Sequence, residues 1–290
     1  MTNNPILCFG EIVWDALPEG IFLGGAPLNV AYHLHCLGRK ALPVSRLGKD
    51  FLGRETLRRL RERGVETELI EETAEAETGA VIVKLDAGGD ARYEILEDAA
   101  WDGISAGEEL LRAASGATAL VYGTLSTRSK RNEATLSELI ERVPVRLCDV
   151  NLRAPYDDAE NALAWASRAT VIKLNEEELE LLTEQPATES LEGKLRSLSE
   201  QTGVERIVVT RGGAGAVLFE EQQLYEGLSP KVEVADTVGA GDAFTAAFLD
   251  AFLCGVGPLE RLRRALAIGA YVASRRGAQP DYNPSEVVES

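Results

Sequence analysis

The residues best suited to chemistry sit in one short run, Asp236-Thr237-Val238-Gly239-Ala240-Gly241-Asp242-Ala243-Phe244, which leads into the helix-like AFTAAFLDAFL. Gly239, Ala240 and Gly241 carry little or no side chain. Their amides can approach a ligand closely, and a helix N-terminus favours an anion. Donors aimed in advance at one point would stabilise a phosphoryl group as its charge develops. Asp242 stands beside that pocket, where a carboxylate can accept the proton of an attacking hydroxyl. The bland alternative is a left-handed turn with Asp at a helix start, and GAGD alone does not decide between the two.

A second glycine-rich segment, LGGAPLNVA from Leu23 to Ala31, also opens a helical pattern. Gly24 and Gly25 permit a close backbone approach, and Asn29 offers a donor and an acceptor for hydroxyl groups. Further polar residues fall at the carboxyl ends of predicted strands: Asp15, Asp149, Asn151, Asn175, Thr210 and Arg211. In open parallel sheets that edge is where ligands bind. Each residue taken singly is as well explained by helix capping, since Asn, Asp and Thr are favoured N-caps. Their shared location favours a site.

The elements that would position these groups alternate. ILCFGEIVWD reads as a strand, PLNVAYHLHCLG as a helix with a glycine stop, ALPVSRLG as a strand and DFLGRETLRRLRERG as an amphipathic helix. TGAVIVKLDAGGDARYEILEDAA departs from this rhythm and reads as two strands around a DAGGD turn. With ALPEGIFLGG it suggests a small β lid from about residues 16–25 and 78–102. The alternation then resumes through ATALVYG, VRLCDVN, TVIKLN and RIVVTRG, each followed by a helical stretch or, at the last, a hairpin. The expected fold is α/β: a mostly parallel central sheet with helices on both faces and a projecting lid, residues 1–290 forming one domain.

Composition narrows the partners. The formal net charge of −17 argues against nucleic acid or an anionic membrane. It leaves a phosphorylated ligand open, because a metal and backbone dipoles can reverse the field inside one cleft. No apolar run is long enough to span a bilayer, and no secretory leader is expected at MTNNPILCFGEI. Cys8, Cys36, Cys148 and Cys254 are scattered without CxxC spacing, and His33 and His35 lack a metal-ligand pattern. Buried free thiols in a cytoplasmic protein are expected.

GGAPLNVAYHLHCLG and DTVGAGDAF, in that order and about two hundred residues apart, resemble the signatures of the ribokinase-like (PfkB) carbohydrate kinases. The resemblance covers essentially the whole chain. It implies the ribokinase-like three-layer α/β/α sandwich and transfer of the γ-phosphoryl group of ATP to a sugar hydroxyl. It implies that Asp242 is the catalytic base and that Gly239, Ala240 and Gly241 form its anion hole. Asp236 and Thr237 match the segment lining the nucleotide phosphates, beside which some members hold a monovalent cation such as K+. Asn175 and Glu178 of NEEE match the family's NxxE motif, which organises Mg2+ around the phosphates, with Glu178 reaching the metal through water. Thr210, Gly212 and Gly215 match the nucleotide-side glycine loop. Asp15, Gly24, Gly25 and Asn29 match the sugar contacts.

Within the family, GEIVWDALPEG, GGAPLNVAYH and DVNLR look most like fructokinases. Arg153 in DVNLR could reach the phosphoryl group or the sugar, its guanidinium suiting an oxyanion; a surface ion pair is its plain alternative. Fructose is the expected acceptor. Ribose, a sugar acid such as 2-keto-3-deoxygluconate, or a catalytically silent sugar-binding protein on the same fold are the alternatives. A nucleoside acceptor is disfavoured because the lid offers only Tyr93 and Trp101 for stacking. Leu266 falls where relatives place a small polar residue toward adenine, and Arg211 could approach a phosphate or face solvent. An exposed lid edge would let two copies pair as a homodimer.

Overall fold

Strands buried on both faces need apolar residues at every position, and ILCF at β1 (Ile6–Phe9) meets that demand. In the computed structural model, which describes residues 4–17, 20–85, 91–183 and 189–289, β1 sits inside a nine-stranded sheet. After β1 come β2 (Val13–Leu17), β3 (Gly20–Gly24), α1 (Ala26–Cys36), β4 (Ala41–Gly48), α2 (Phe51–Glu62) and β5 (Ile70–Thr73). Next are β6 (Gly79–Leu85), β7 (Ala91–Ile95), α3 (Glu108–Gly116), β8 (Ala119–Gly123), α4 (Lys130–Ile140) and β9 (Val145–Asp149). Then follow α5 (Ala159–Ala166), β10 (Val171–Asn175), α6 (Glu176–Thr183), α7 (Leu191–Thr202) and β11 (Arg206–Thr210). The chain closes with β12 (Ala216–Glu220), β13 (Gln223–Gly227), α8 (Ala240–Leu253), α9 (Pro258–Ala273) and α10 (Pro284–Glu289).

The sheet order is β13-β12-β11-β10-β9-β8-β1-β4-β5, parallel from β11 to β5, with β12 and β13 antiparallel at one edge. Alternate residues of each strand feed two cores. Leu7, Phe9, Leu120, Tyr122, Ile172 and Leu174 pack against α3 to α7. Ile6, Cys8, Leu147, Val171, Val208 and Leu218 pack against α1, α8 and α9. Full burial of a large aliphatic or aromatic side chain contributes roughly 1.5–3 kcal/mol. These two layers therefore hold the sheet's carboxyl edge in place. Local signals start and stop the helices: Asp50 accepts from Gly53 N ahead of α2, Ser190 caps α7, and left-handed Gly203 ends α7.

The smaller sheet has the order β3-β2-β6-β7. It begins at Val13, earlier than the expected residue 16, because the stretch ILCFGEIVWD is two strands. Gly10, at φ 143°, turns the chain out of the central sheet, so Val13–Leu17 joins the small sheet instead. The far boundary moves inward too. β7 ends at Ile95, and Ala100–Gly103 forms a short 3-10 turn. DAGGD at 86–90 lies outside the described residues.

Candidate active site

Most of the groups named above lie at the central sheet's carboxyl edge, while Asp15 and Gly24 belong to the small sheet. At the start of α8, Gly239 adopts a left-handed conformation (φ 77°), and a Cβ there would lie 2.6 Å from Ala278 Cα. Any other residue would be strained and displaced. No side chain caps this terminus among the described residues, so the first-turn amides of Gly241 and Asp242 face outward without an intrahelical acceptor. The Asp242 carboxylate is turned aside to Asn29, whose Nδ2 donates to Oδ2 at 2.7 Å. Asn29 Oδ1 in turn accepts from Gln279 Nε2 at 2.8 Å. Burial, and next the charge of Asp149, push the Asp242 carboxyl up to about 6, while Asn29, Lys173 and Arg153 oppose the rise. Asp242 is thus ionised at neutral pH and a better proton acceptor than a free aspartate.

Asp15 lies within β2, opposite Phe22 of β3 and Val81 of β6, and not at the end of a central strand as expected. Burial raises its carboxyl and Arg153 lowers it. A Cβ on Gly24 would stand 2.7 Å from Asp15 Oδ2, and one on Gly25 (φ 111°) would overlap the Glu11 carbonyl. Gly25 therefore has to be glycine, whereas a side chain at Gly24 would only push the Asp15 carboxylate aside. Arg153 is exposed and makes no ion pair among the described residues, against its surface-pair alternative; its charge bears on Glu11, Asp15 and Asp242.

Asn175 and Glu178 form a reciprocal capping box at α6. Asn175 Oδ1 accepts from Glu178 N at 2.8 Å, and Glu178 Oε2 accepts from Asn175 N at 2.9 Å. Glu178 Oε1 also accepts from Leu152 N at 2.8 Å, tying α6 to the segment after β9. Glu178 is only 6% exposed, which removes the solvated-face reading of EEELELL; its neighbours Glu176 and Glu177 are exposed. Burial and then Asp149 raise its carboxyl.

Thr210 ends β11 with its hydroxyl 3.4 Å from the Leu174 carbonyl. Gly212 (φ 53°) and Gly215 (φ 104°) form the turn into β12, and a Cβ on Gly215 would overlap the Gly227 carbonyl. Asp236 Oδ1 accepts from Val238 N and Oδ2 from Gly277 N, each at 3.0 Å, which fixes the approach to Gly239; Thr237 is exposed.

The chain is similar to known proteins over most of its length. Residues 19–286 match the model of the pfkB family carbohydrate kinases. The chain belongs to that family. A rice (Oryza sativa subsp. japonica) fructokinase-1 is 30% identical over 97% of this chain and 95% of the relative. A Xylella fastidiosa fructokinase with bound ATP superposes with a TM-score of 0.85 at 24% identity, covering 99% and 98% of the two chains. A Vibrio cholerae O395 fructokinase bound to fructose, ADP and calcium gives 0.81 at 22% identity, with 96% of each covered. At such identities the two structures speak to the fold, which is the ribokinase-like sandwich.

In this carbohydrate kinase several expectations change. Trp101 is fully buried beneath Arg128, whose guanidinium lies 4.0 Å from its ring centroid, so it offers no stacking surface. The side chain of Tyr93 lies outside the described residues. Phe22, 44% exposed and on the same face as Asp15, is the aromatic the sequence reading missed; strand alternation in IFLGG was its signal. Leu266 is buried in the core and packs on Gly227. Arg211 pairs with Glu176 at 3.0 Å and Glu226 at 2.8 Å.

Two further residues, Glu11 and Lys173, were also missed, as was the pairing of Asp149 with Lys173. Glu11 is 5% exposed; its Oε1 accepts from Ala26 N at 3.2 Å, and its Oε2 is buried without a partner among the described residues. Burial pushes this carboxyl up to about 7. Lys173 and Asp149 form a buried ion pair below α8. No group of three His, Cys, Asp or Glu able to hold a metal occurs among the described residues. Glu178 fits a divalent ion held through water, since each of its oxygens takes one amide and keeps a lone pair free. No helix among the described residues is long and apolar enough to cross a membrane.

Proposed function

We propose that this kinase transfers the γ-phosphoryl group of ATP to a primary hydroxyl of fructose, giving fructose 6-phosphate. The observation that carries the reading is the pairing at α8: outward, uncapped amides beside a carboxylate held aside by Asn29. The fructokinases among its relatives support the acceptor and the nucleotide. In this reading Asp242 takes the hydroxyl proton, and the turn Gly239-Ala240-Gly241 cradles the transferring group through the amides of Gly241 and Asp242, since Ala240 N is engaged by the Thr237 carbonyl at 3.3 Å. Asp15, Gly24, Gly25 and Asn29 shape the sugar side, with Asn29 acting chiefly on Asp242, and Arg153 supplies positive charge over the three acids. Asn175, Glu178, Thr210, Gly212, Gly215, Asp236 and Thr237 line the nucleotide side.

Magnesium, when bound, neutralises phosphate charge, and Glu178 would hold it through water; a monovalent ion such as K+ would sit near Asp236. The small sheet acts as a lid that excludes water on closing. A row of Ile21, Ala16 and Ile82 crosses its outer face, with both isoleucines exposed, and supports pairing of two such lids in a homodimer. The four free cysteines fit a cytoplasmic setting. A panel of sugars assayed for ADP release tests the acceptor. Fructose giving the highest kcat/KM upholds the reading; ribose or 2-keto-3-deoxygluconate prevailing overturns it.

A further inference from the structure

Beneath α8 lies a buried charge pair whose meeting none of the sequence motifs announces. Lys173 and Asp149 are register partners on the adjacent strands β10 and β9. Each follows by two residues a member of the α8-side core, Val171 and Leu147, so both point to the same layer. Lys173 Nζ donates to the two Asp149 oxygens at 3.0 and 3.1 Å. Thr245 Oγ1 lies 3.0 Å from Asp149 Oδ2 and 2.9 Å from the Gly241 carbonyl, its one proton shared between two acceptors. A Cβ on Gly241 would stand 3.4 Å from Nζ, which places the ammonium directly under the first turn of α8. Lys173 is 8% exposed and Asp149 4%.

Burying an ion pair rarely adds stability over a well-packed apolar pair, because desolvation offsets the attraction. Such a pair at this depth calls for another role. We propose that Lys173, Asp149 and Thr245 are positioning residues of the phosphoryl-transfer centre: they hold the Gly241 carbonyl, and with it the outward amides and Asp242, over a balanced pair of charges. The inference rests on the kinase reading above. Its electrostatic side follows from what faces Asp242: Asn29 from α1, Asp149 from β9, Lys173 from β10, Arg153 after β9 and Glu11 after β1. Asp149 raises the Asp242 carboxyl and Lys173 lowers it, so removing one partner unbalances the base and removing both restores it.

The test is the titration of the Asp242 carboxyl, read from selectively 13C-labelled aspartate and, in parallel, from the acid limb of kcat/KM. Lys173→Met should move it up by about one pH unit and Asp149→Asn down by a similar amount, while the double variant returns toward wild type. Lys173→Arg, which keeps the charge, should keep the wild-type limb. Thr245→Val should lower kcat by about tenfold with the sugar KM little changed, through loss of alignment. A carboxyl that titrates unchanged in both single variants, or moves the same way in both, overturns the inference. If Lys173→Met does not fold, the nearly isosteric Asp149→Asn still decides, since a limb that fails to move down contradicts the proposal. Absence of sugar phosphorylation by the wild type would sink the kinase reading instead, and the carboxyl titration would still report on this one.

Discussion

Two helices begin at the same sheet edge with an acid in their first turn, and they treat it in opposite ways. At α6, Asn175 and Glu178 close on each other's amides, and Glu178 spends its second oxygen on Leu152. At α8, Gly239 provides no cap, and Asp242 turns to Asn29. The first terminus is saturated by its own chain, so its acid can reach a ligand only through water. The second is left open: its first-turn amides lack a side-chain cap among the described residues, and its carboxylate is held by Asn29 through one oxygen. The difference lies in the cap residue: an Asn side chain accepts the helix amide, whereas a left-handed Gly cannot. One sheet edge thus carries a closed terminus that stabilises the fold and an open one fit for chemistry.

The contrast can be broken at its open end first. Asp242→Asn should lower kcat by about 10³-fold, as loss of a general base does, while nucleotide and sugar still bind. The same variant should melt higher than wild type at neutral pH. The folded carboxyl titrates at about 6 against the usual aspartate value of 3.8, so its ionised form disfavours folding at neutral pH. That gain should fade as pH falls through 6 and vanish below 3.8, as calorimetry across pH would show. In wild type, kcat/KM should decline as pH drops through about 6, because protonated Asp242 cannot accept the hydroxyl proton. Asn29→Ala should cost about tenfold in kcat by freeing the carboxylate to rotate.

The closed end should respond differently. Glu178→Ala should cost about 1–3 kcal/mol of stability by stranding buried amides, read by chemical denaturation, and should raise the KM for the nucleotide more than that for the sugar. Arg211→Ala should do least, within about 0.5 kcal/mol and without effect on either KM, since its two pairs are surface contacts.

Much of this contrast could be read from the chain. GAGD before an apolar helix and NEEE after an apolar strand are local patterns whose geometry follows from a few adjacent residues, as do Gly24 and Gly25 before α1. What escaped depends on non-local facts. Lys173 and Asp149 meet only because β10 and β9 share a register, and nothing within either strand announces the other. Glu11 reads as one polar residue in an apolar run until Gly10 is seen to turn the chain and bury it against Ala26. Trp101 looks like a lid aromatic because its burial beneath Arg128 comes from a helix start beyond β8. The helix α3, nine residues with two alanines and a terminal glycine, left too short a periodic signal to be noticed.

The most direct measurement is a crystal structure with fructose and a non-hydrolysable ATP analogue. The account predicts a primary hydroxyl within about 2.6–3.2 Å of an Asp242 oxygen and the terminal phosphate against the amides of Gly241 and Asp242. A terminal phosphate docked instead at α6, or a sugar whose primary hydroxyls lie beyond reach of Asp242, would contradict it.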